Sequence, residues 1–178
     1  MVQILELFGG IGSPRCALRN IGIPVKSIDY VEIDEAAVRS YNAMFAKDLP
    51  YKTQTVVGYN LRPDILIHGS PCNDMSVAGH QGTATRNGRI NHGAGAEEGS
   101  GTRSSLMWET IHIIEQMGEW KPKYVIWENV KNVRSKYMVH NHDRYMEELS
   151  KLGYTSTYEL LDAREFGLPQ ARERYFTV

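Results

Sequence analysis

The feature that most limits how this chain can fold is a steady alternation of strand-length apolar runs with segments of helical period. It begins with Val2 to Phe8, which runs directly into Gly9-Gly10-Ile11-Gly12. The run reads as a buried strand and the glycines as a tight turn. Ser13 reads as a helix N-cap, with Pro14 at the first helical position. Val25 to Val31 predicts a second strand. Glu35 to Ala46 predicts a helix with Val38, Tyr41 and Phe45 on one face. Thr53 to Val57 and Asp64 to His68 read as short strands. Ser105 to Met117 predicts a helix that turns Met107, Ile111 and Ile114 inward, and Lys123 to Trp127 a strand bounded by Pro122. His142 to Leu152 is helical through Tyr145, Leu149 and Leu152, and Thr155 to Leu161 and Arg174 to Val178 are further strands. Such alternation is expected of an α/β fold, with a mostly parallel sheet and helices on both faces.

Bulk properties narrow the class. The 178 residues suit one domain, 42% hydrophobic and 23% charged, which excludes a disordered chain. No apolar run approaches the roughly 18 residues of a membrane span, and Met1 to Glu6 has no basic segment leading an apolar one. Two cysteines, Cys16 and Cys72, form no disulfide framework, so a reducing, intracellular (cytoplasmic) setting is expected. His68, Cys72, His80, His92, His140 and His142 show no paired zinc-ligand spacing, so no metal is expected. A net charge of −1 neither advertises nor excludes nucleic acid, because phosphate contacts need only a local basic stripe. Lys131-Asn-Val-Arg134-Ser-Lys136 is one such stripe, or else a solvated loop. From Gly79 to Arg103 the pattern breaks down into Gly, Asn, Thr and Arg, as expected of a functional lid. The chain ends on Tyr175-Phe-Thr-Val178, which reads as mid-sheet and suggests a fragment or one half of a two-part protein.

Four local constellations point to chemistry. The glycine turn lets backbone approach a ligand, and the helix start behind it favours an anionic group. Glu32 follows Gly12 by twenty positions at the end of the second strand, where a ribose-binding carboxylate belongs. Arg15 stands where the dinucleotide fingerprint needs its third glycine, which favours a single-nucleoside cofactor over NAD. Cys72 follows a strand and a Gly-Ser-Pro break, at the carboxyl edge where open parallel sheets bind ligands. A free thiol is only about 3% thiolate at pH 7, and a nearby cation would raise that fraction. Glu128-Asn-Val130 is expected directly after an apolar strand, as a helix cap or a functional acid. Arg172 and Arg174, at i and i+2 of an extended segment, share one face.

Together and in this order, these elements resemble the C5-cytosine-specific DNA methyltransferase family. Phe8-Gly-Gly-Ile-Gly12 is similar to its first motif, Glu32-Ile-Asp34 to the second and Pro71-Cys72 to the fourth. Glu128-Asn-Val130 is similar to the sixth, and Gln170-x-Arg172-x-Arg174 to the eighth. The resemblance implies a Rossmann-like S-adenosylmethionine-dependent methyltransferase fold over residues 1–178, without the family's target-recognition domain and last two motifs.

It also implies roles. Cys72 would attack C6 of a cytosine flipped out of DNA, Glu128 would meet ring N3, Arg174 would hold O2, and Arg172 would position the base. Phe8, Gly10, Ile11, Gly12, Glu32, Ile33, Pro71 and Leu106 would form the cofactor pocket. Ser76, Gln170, Arg86 and Arg89, with Arg103, would meet the nucleic acid. The implied partners are DNA, RNA as the lesser alternative, and a second chain carrying the recognition domain. Asn73 and Met75 stand where the family has Gln and Phe, and Tyr59-Asn60 lies where it offers an aspartate to the adenine. Those departures keep open a non-catalytic paralogue that binds DNA or a partner. A nucleotide-dependent oxidoreductase is the third alternative.

Overall fold

A computed structural model of the chain describes residues 1–46, 50–57, 62–71, 83–84, 90–91, 98–99, 104–136 and 138–178, apart from the side chains of 27, 28, 83, 84, 90 and 91. Strand β1 (Val2–Leu7) pairs in parallel with β2 (Val25–Val31) and with β3 (Ile65–His68). A strand flanked on both sides and covered on both faces can be apolar at consecutive positions. Ile4, Leu5 and Leu7 are accordingly all buried. The six-stranded sheet has the order β2-β1-β3-β6-β8-β7, where β6 is Tyr124–Val130, β7 Tyr158–Asp162 and β8 Glu173–Thr177. Strand β8 runs antiparallel to both β6 and β7. Within the expected lid, β4 (Thr83–Ala84) and β5 (Ile90–Asn91) pair antiparallel.

The chain divides into two compact units, Met1–Gly69 with His112–Ile126, and Ser70–Ile111 with Trp127–Val178. The first holds β1 to β3 and helices α1 (Ser13–Asn20) and α2 (Glu35–Phe45). Helix α2 starts where Asp34 caps it, its Oδ1 accepting from the amides of Ala36 (2.7 Å) and Ala37 (3.1 Å). It buries Val38 and Tyr41, which pack with Tyr30, Phe45 and Tyr51. Tyr30 and Tyr41 stack at 3.7 Å. Asn42 locks Tyr51 to the helix in both directions: Nδ2 donates to its carbonyl and Oδ1 accepts from its amide, each at 2.8 Å.

The second unit holds β7, β8, helix α4 (Val139–Lys151) and the greater part of β6. Helix α4 turns His142, Tyr145 and Leu149 inward at helical spacing. Trp127 packs on Tyr145 at 4.6 Å, and Trp108 of α3 (Met107–Met117) meets the same ring at 5.9 Å.

Several boundaries differ from expectation for local reasons. The cap of α1 is Gly12, at φ 84°, and Ser13 lies inside the helix. Residues 53–57 form no strand; Gln54 reaches the end of β2 through its amide on the Glu32 carbonyl at 2.8 Å and a weak 3.5 Å side-chain contact to the Tyr30 carbonyl, and its side chain also bonds Asp29. Strand β6 continues to Val130 because its second half pairs with β8, so Glu128 sits within the strand rather than after it. Strand β7 starts at Tyr158. Just ahead of it, Thr157 and Val178 exchange reciprocal backbone bonds of 2.8 Å. Helix α4 begins three residues early, because a turn at Ser135 feeds it through bonds from Met138 and Val139.

Candidate active site

In the first unit the glycine turn is held by what lies beneath it. A Cβ on Gly9 would come within 2.6 Å of the Tyr30 ring. One on Gly12 would meet Tyr41 and Phe45 at 2.7 Å, at a left-handed φ of 84°. Only glycine satisfies both constraints there. Gly10 is also left-handed, at φ 53°, but the space its Cβ would enter is open. Phe8 adopts φ 53° as well, and it is the one non-glycine residue so placed among those described. Backbone strain of this kind gathers at ligand sites. Tyr30 donates its hydroxyl to the Gly10 carbonyl at 2.5 Å. Burial, then Glu32, Glu6 and Asp34, push its ionisation far above the usual tyrosine range, so the donor stays protonated. Tyr41 donates to the buried Glu6 carboxylate, also at 2.5 Å.

Glu32 is tied to this turn. Its Oε2 accepts from the Gly10 amide at 3.0 Å, and its Oε1 from the amides of Ile33 (2.8 Å) and Asp34 (2.9 Å). A carboxylate offers about four lone-pair directions, so one position remains on Oε2 for a ligand hydroxyl. Ile33 and Ile11 are exposed beside it. Phe8, Gly10, Ile11, Gly12, Glu32 and Ile33 thus gather in one place. The open space over Gly10 leaves room for close approach of a ligand to this carboxylate. Pro71 and Leu106, the other expected cofactor residues, belong to the second unit and are partly buried there.

The second unit pairs Glu128 with Arg174. In the antiparallel β6–β8 ladder Glu128 stands opposite Phe176 and Val130 opposite Arg174. All four side chains therefore leave the sheet on one face, with Glu128 and Arg174 diagonal to each other. The Arg174 Nε lies 3.0 Å from Glu128 Oε1, and both side chains are partly exposed. Arg174 Nη1 also donates to the Glu173 carbonyl at 2.8 Å. A guanidinium has five N–H donors, so others remain for a ligand.

A cleft of about 350 Å³ opens beside this pair, lined by Val130, Lys131, Asn132 and the run Gln170 to Arg174. Arg172 is exposed at its edge. Its backbone is tied to the turn after β7, where its amide meets Asp162 Oδ1 at 3.4 Å and its carbonyl accepts from Ala163 at 3.1 Å. Asp162 Oδ2 also binds the Arg164 guanidinium, at 2.6 and 3.0 Å. The Arg164 side chain, then its backbone amide, hold the Asp162 carboxyl down at about 2, and the turn stays ionised and closed.

The expected basic stripe is largely neutralised. Lys131 pairs with Glu173 at 2.9 Å, and Arg134 with Asp143 at 3.2 Å. Cys72, Ser76, Arg86 and Arg89, together with Arg103, Asn73, Met75 and Tyr59-Asn60, lie outside the described residues. Sequence reasoning passed over Tyr30 and Tyr41 as the floor of the turn, and Lys131 and Asn132 as walls of the cleft. A tyrosine closing the second strand beside the glycines was the available signal for the first. For the second it was the stripe that begins at Lys131-Asn132, read as a basic patch because its meeting with Gln170 to Arg174 arises only through β-pairing. Among the described residues no cluster of His, Cys, Asp and Glu could hold a metal ion, and no helix is long and apolar enough to cross a membrane.

Comparison with known proteins finds relatives along nearly the whole chain. The chain is 31% identical, over its whole length, to the type II methyltransferase M2.ScrFI of Lactococcus lactis subsp. cremoris. It is 33% identical, over 99% of its length, to the orphan methyltransferase M.SPRI of Bacillus phage SPR. It spans 61% and 37% of those two proteins. The fold is that of the S. pombe Dnmt2 methyltransferase (TM-score 0.71, 17% identity, 99% of this chain and 48% of that one). It is also that of the Entamoeba histolytica methyltransferase EhMeth (TM-score 0.73, 20% identity, 99% and 52%). The family model for C-5 cytosine-specific DNA methylase matches residues 2–178, and the chain belongs to that family.

Proposed function

We propose that this chain carries out methyl transfer from S-adenosylmethionine to C5 of a cytosine in DNA, with the base flipped out of the duplex. Extruding a paired base costs roughly a few kcal/mol, and a closed, polar pocket has to offset it. The observation that carries the reading is the Glu128–Arg174 pair, whose arginine lines a cleft together with Gln170 and Arg172. An acid and a guanidinium side by side suit the polar edge of a pyrimidine, with its ring nitrogen and its carbonyl oxygen.

Cytosine C5 is a weak nucleophile. Attack of the Cys72 thiolate on C6 would place an enamine at C5 and charge on the ring. Glu128, once it leaves Arg174 and carries a proton, would donate to N3 and stabilise that charge. Arg174 would hold O2 with the donors left over from the Glu173 carbonyl. Arg172, braced through its backbone by Asp162, would approach the base from the edge of the cleft. The cofactor, when bound, supplies an electrophilic methyl group on a sulfonium. Glu32 would hold the ribose diol, Phe8, Ile11 and Ile33 would flank the adenine, and the turn from Gly10 to Gly12, with Pro71 and Leu106, would complete the pocket. Loss of the C5 proton followed by β-elimination would release Cys72. Ser76, Arg86 and Arg89 would contact the DNA backbone, and the reducing interior of a cell would keep Cys72 a free thiol.

Mass spectrometry with a 5-fluorocytosine oligonucleotide and S-adenosylmethionine tests this. The chain is assayed alone and with the C-terminal part of a relative supplied in trans. A covalent adduct on the Cys72 peptide is expected, because fluorine at C5 blocks the elimination. No adduct in either arm counts against the reading, and an adduct with tRNA instead of DNA redirects it to RNA.

A further inference from the structure

Consecutive residues of β6 face opposite ways. Glu128 turns toward Arg174, which lines the cleft. Trp127 is buried, and its indole Nε1 donates to Ser70 Oγ at 3.1 Å, with Ser70 buried as well. A buried indole N–H needs an acceptor. This one takes a hydroxyl that precedes Pro71-Cys72 in the chain. The ring is held in place on its other sides. Tyr145 tilts against it at 4.6 Å and His142 stacks on it at 5.7 Å. His142 is fixed in turn by Arg134, whose Nη1 lies 3.0 Å from Nδ1. Asp143 Oδ1 lies 3.4 Å from the same nitrogen, so the ring is held between the two charged groups.

We propose that Ser70 and Trp127 are a positioning pair. Their hydrogen bond sets the chain leading into Cys72 against the strand that presents Glu128, and so governs the spacing of thiol and acid. The proposal rests on the reading of Cys72 and Glu128 as reacting groups. Misplacement by about 1 Å can cost on the order of a hundredfold in rate, and this buried bond joins the residue two before Cys72 in the chain to the one before Glu128.

Four variants of the full chain test it. Trp127→Phe keeps a ring and removes the donor, Ser70→Ala removes the acceptor, and Ser70→Thr keeps a hydroxyl. The fourth combines Trp127→Phe with Ser70→Ala. The first readout is alkylation of Cys72 by iodoacetamide, followed by peptide mass spectrometry with Cys16 as internal reference, and it needs no turnover. The Cys72/Cys16 rate ratio should change about threefold or more in Ser70→Ala and in Trp127→Phe. It should change no further in the double variant and return toward wild type in Ser70→Thr. The second readout is methyl transfer, where kcat should fall about tenfold while KM for S-adenosylmethionine stays within twofold. An unchanged ratio in every variant, effects that multiply in the double variant, or lower thermal stability with Cys72 and Cys16 moving together would each overturn the pair. A wild-type chain with no methyl transfer, but with the coupled alkylation pattern, would sink the proposed function and leave the pair standing.

Discussion

At the glycine turn the constraints run through main-chain atoms: Gly9 lies against Tyr30, Gly12 against Tyr41 and Phe45, and Glu32 is held by three backbone amides. At the cleft they run through side chains, where Glu128 meets Arg174 across two paired strands and the lining closes only because β8 returns between β6 and β7. A turn built from backbone is fixed before any ligand arrives and tolerates little substitution. A site built from partly exposed side chains can open its ion pair to admit a ligand. Substitutions there should cost activity rather than stability.

The largest effect should come from that difference. Glu128→Gln is expected to lower kcat by on the order of a hundredfold or more, the range for a lost general acid. The exposed character of its ion pair with Arg174 should limit the stability change to about 1 kcal/mol or less. Steady-state methyl transfer and urea unfolding on the same preparation check both halves. A large stability loss would mean that the cleft is as rigid as the turn.

The converse applies to the turn. Gly12→Ala places a Cβ at 2.7 Å from two rings and strains a left-handed φ, at a cost of about 2–4 kcal/mol. Gly10→Ala meets open space and should cost only about 1 kcal/mol, from its φ alone. Calorimetric titration with S-adenosylhomocysteine, beside urea unfolding, separates the two. Equal losses at both positions would contradict the packing beneath Gly12.

Acid should act on the buried imidazoles next. Burial drives His68 down to about 3 and lowers His142 in the same direction. The unfolded chain then binds more protons than the folded one below about pH 6.5, so stability is full above that value and falls as pH drops toward 3. His68 alone should cost roughly 2 kcal/mol between pH 6.5 and 5. Urea midpoints at pH 7.5 and 5.0 measure it, and a flat profile would contradict a neutral buried His68. The smallest effect belongs to Lys131→Ala, which removes an exposed pair with Glu173 and should change stability by about 0.5 kcal/mol or less. If it lowers DNA affinity severalfold in a filter-binding assay, Lys131 faces nucleic acid despite its partner.

Much of the fold was legible because its signals are local. The apolar run of β1, the helical period of Val38, Tyr41 and Phe45, and the glycines after Phe8 each act within a few residues. The boundaries that moved did so under distant influence. Glu128 was read as following its strand, and pairing with β8 drew it inside. The stripe from Lys131 to Lys136 read as a basic patch, and Glu173 and Asp143, far along the chain or across a helix turn, took up two of its charges. Ser13 lost the cap to Gly12 because a left-handed glycine already satisfied the turn.

By itself the sequence determined the residue types and their order: the glycine turn, the acid twenty positions on, the Pro-Cys pair, Glu-Asn-Val and the spaced arginines. Those suffice to place the chain in its family, because backbone propensity and motif spacing are properties of short segments. Tertiary structure alone decided which of them meet. The reversal of β8, the diagonal of Glu128 and Arg174, and the indole of Trp127 reaching Ser70 depend on register between strands far apart in the chain. Register is settled by burial on the whole sheet rather than by any local preference.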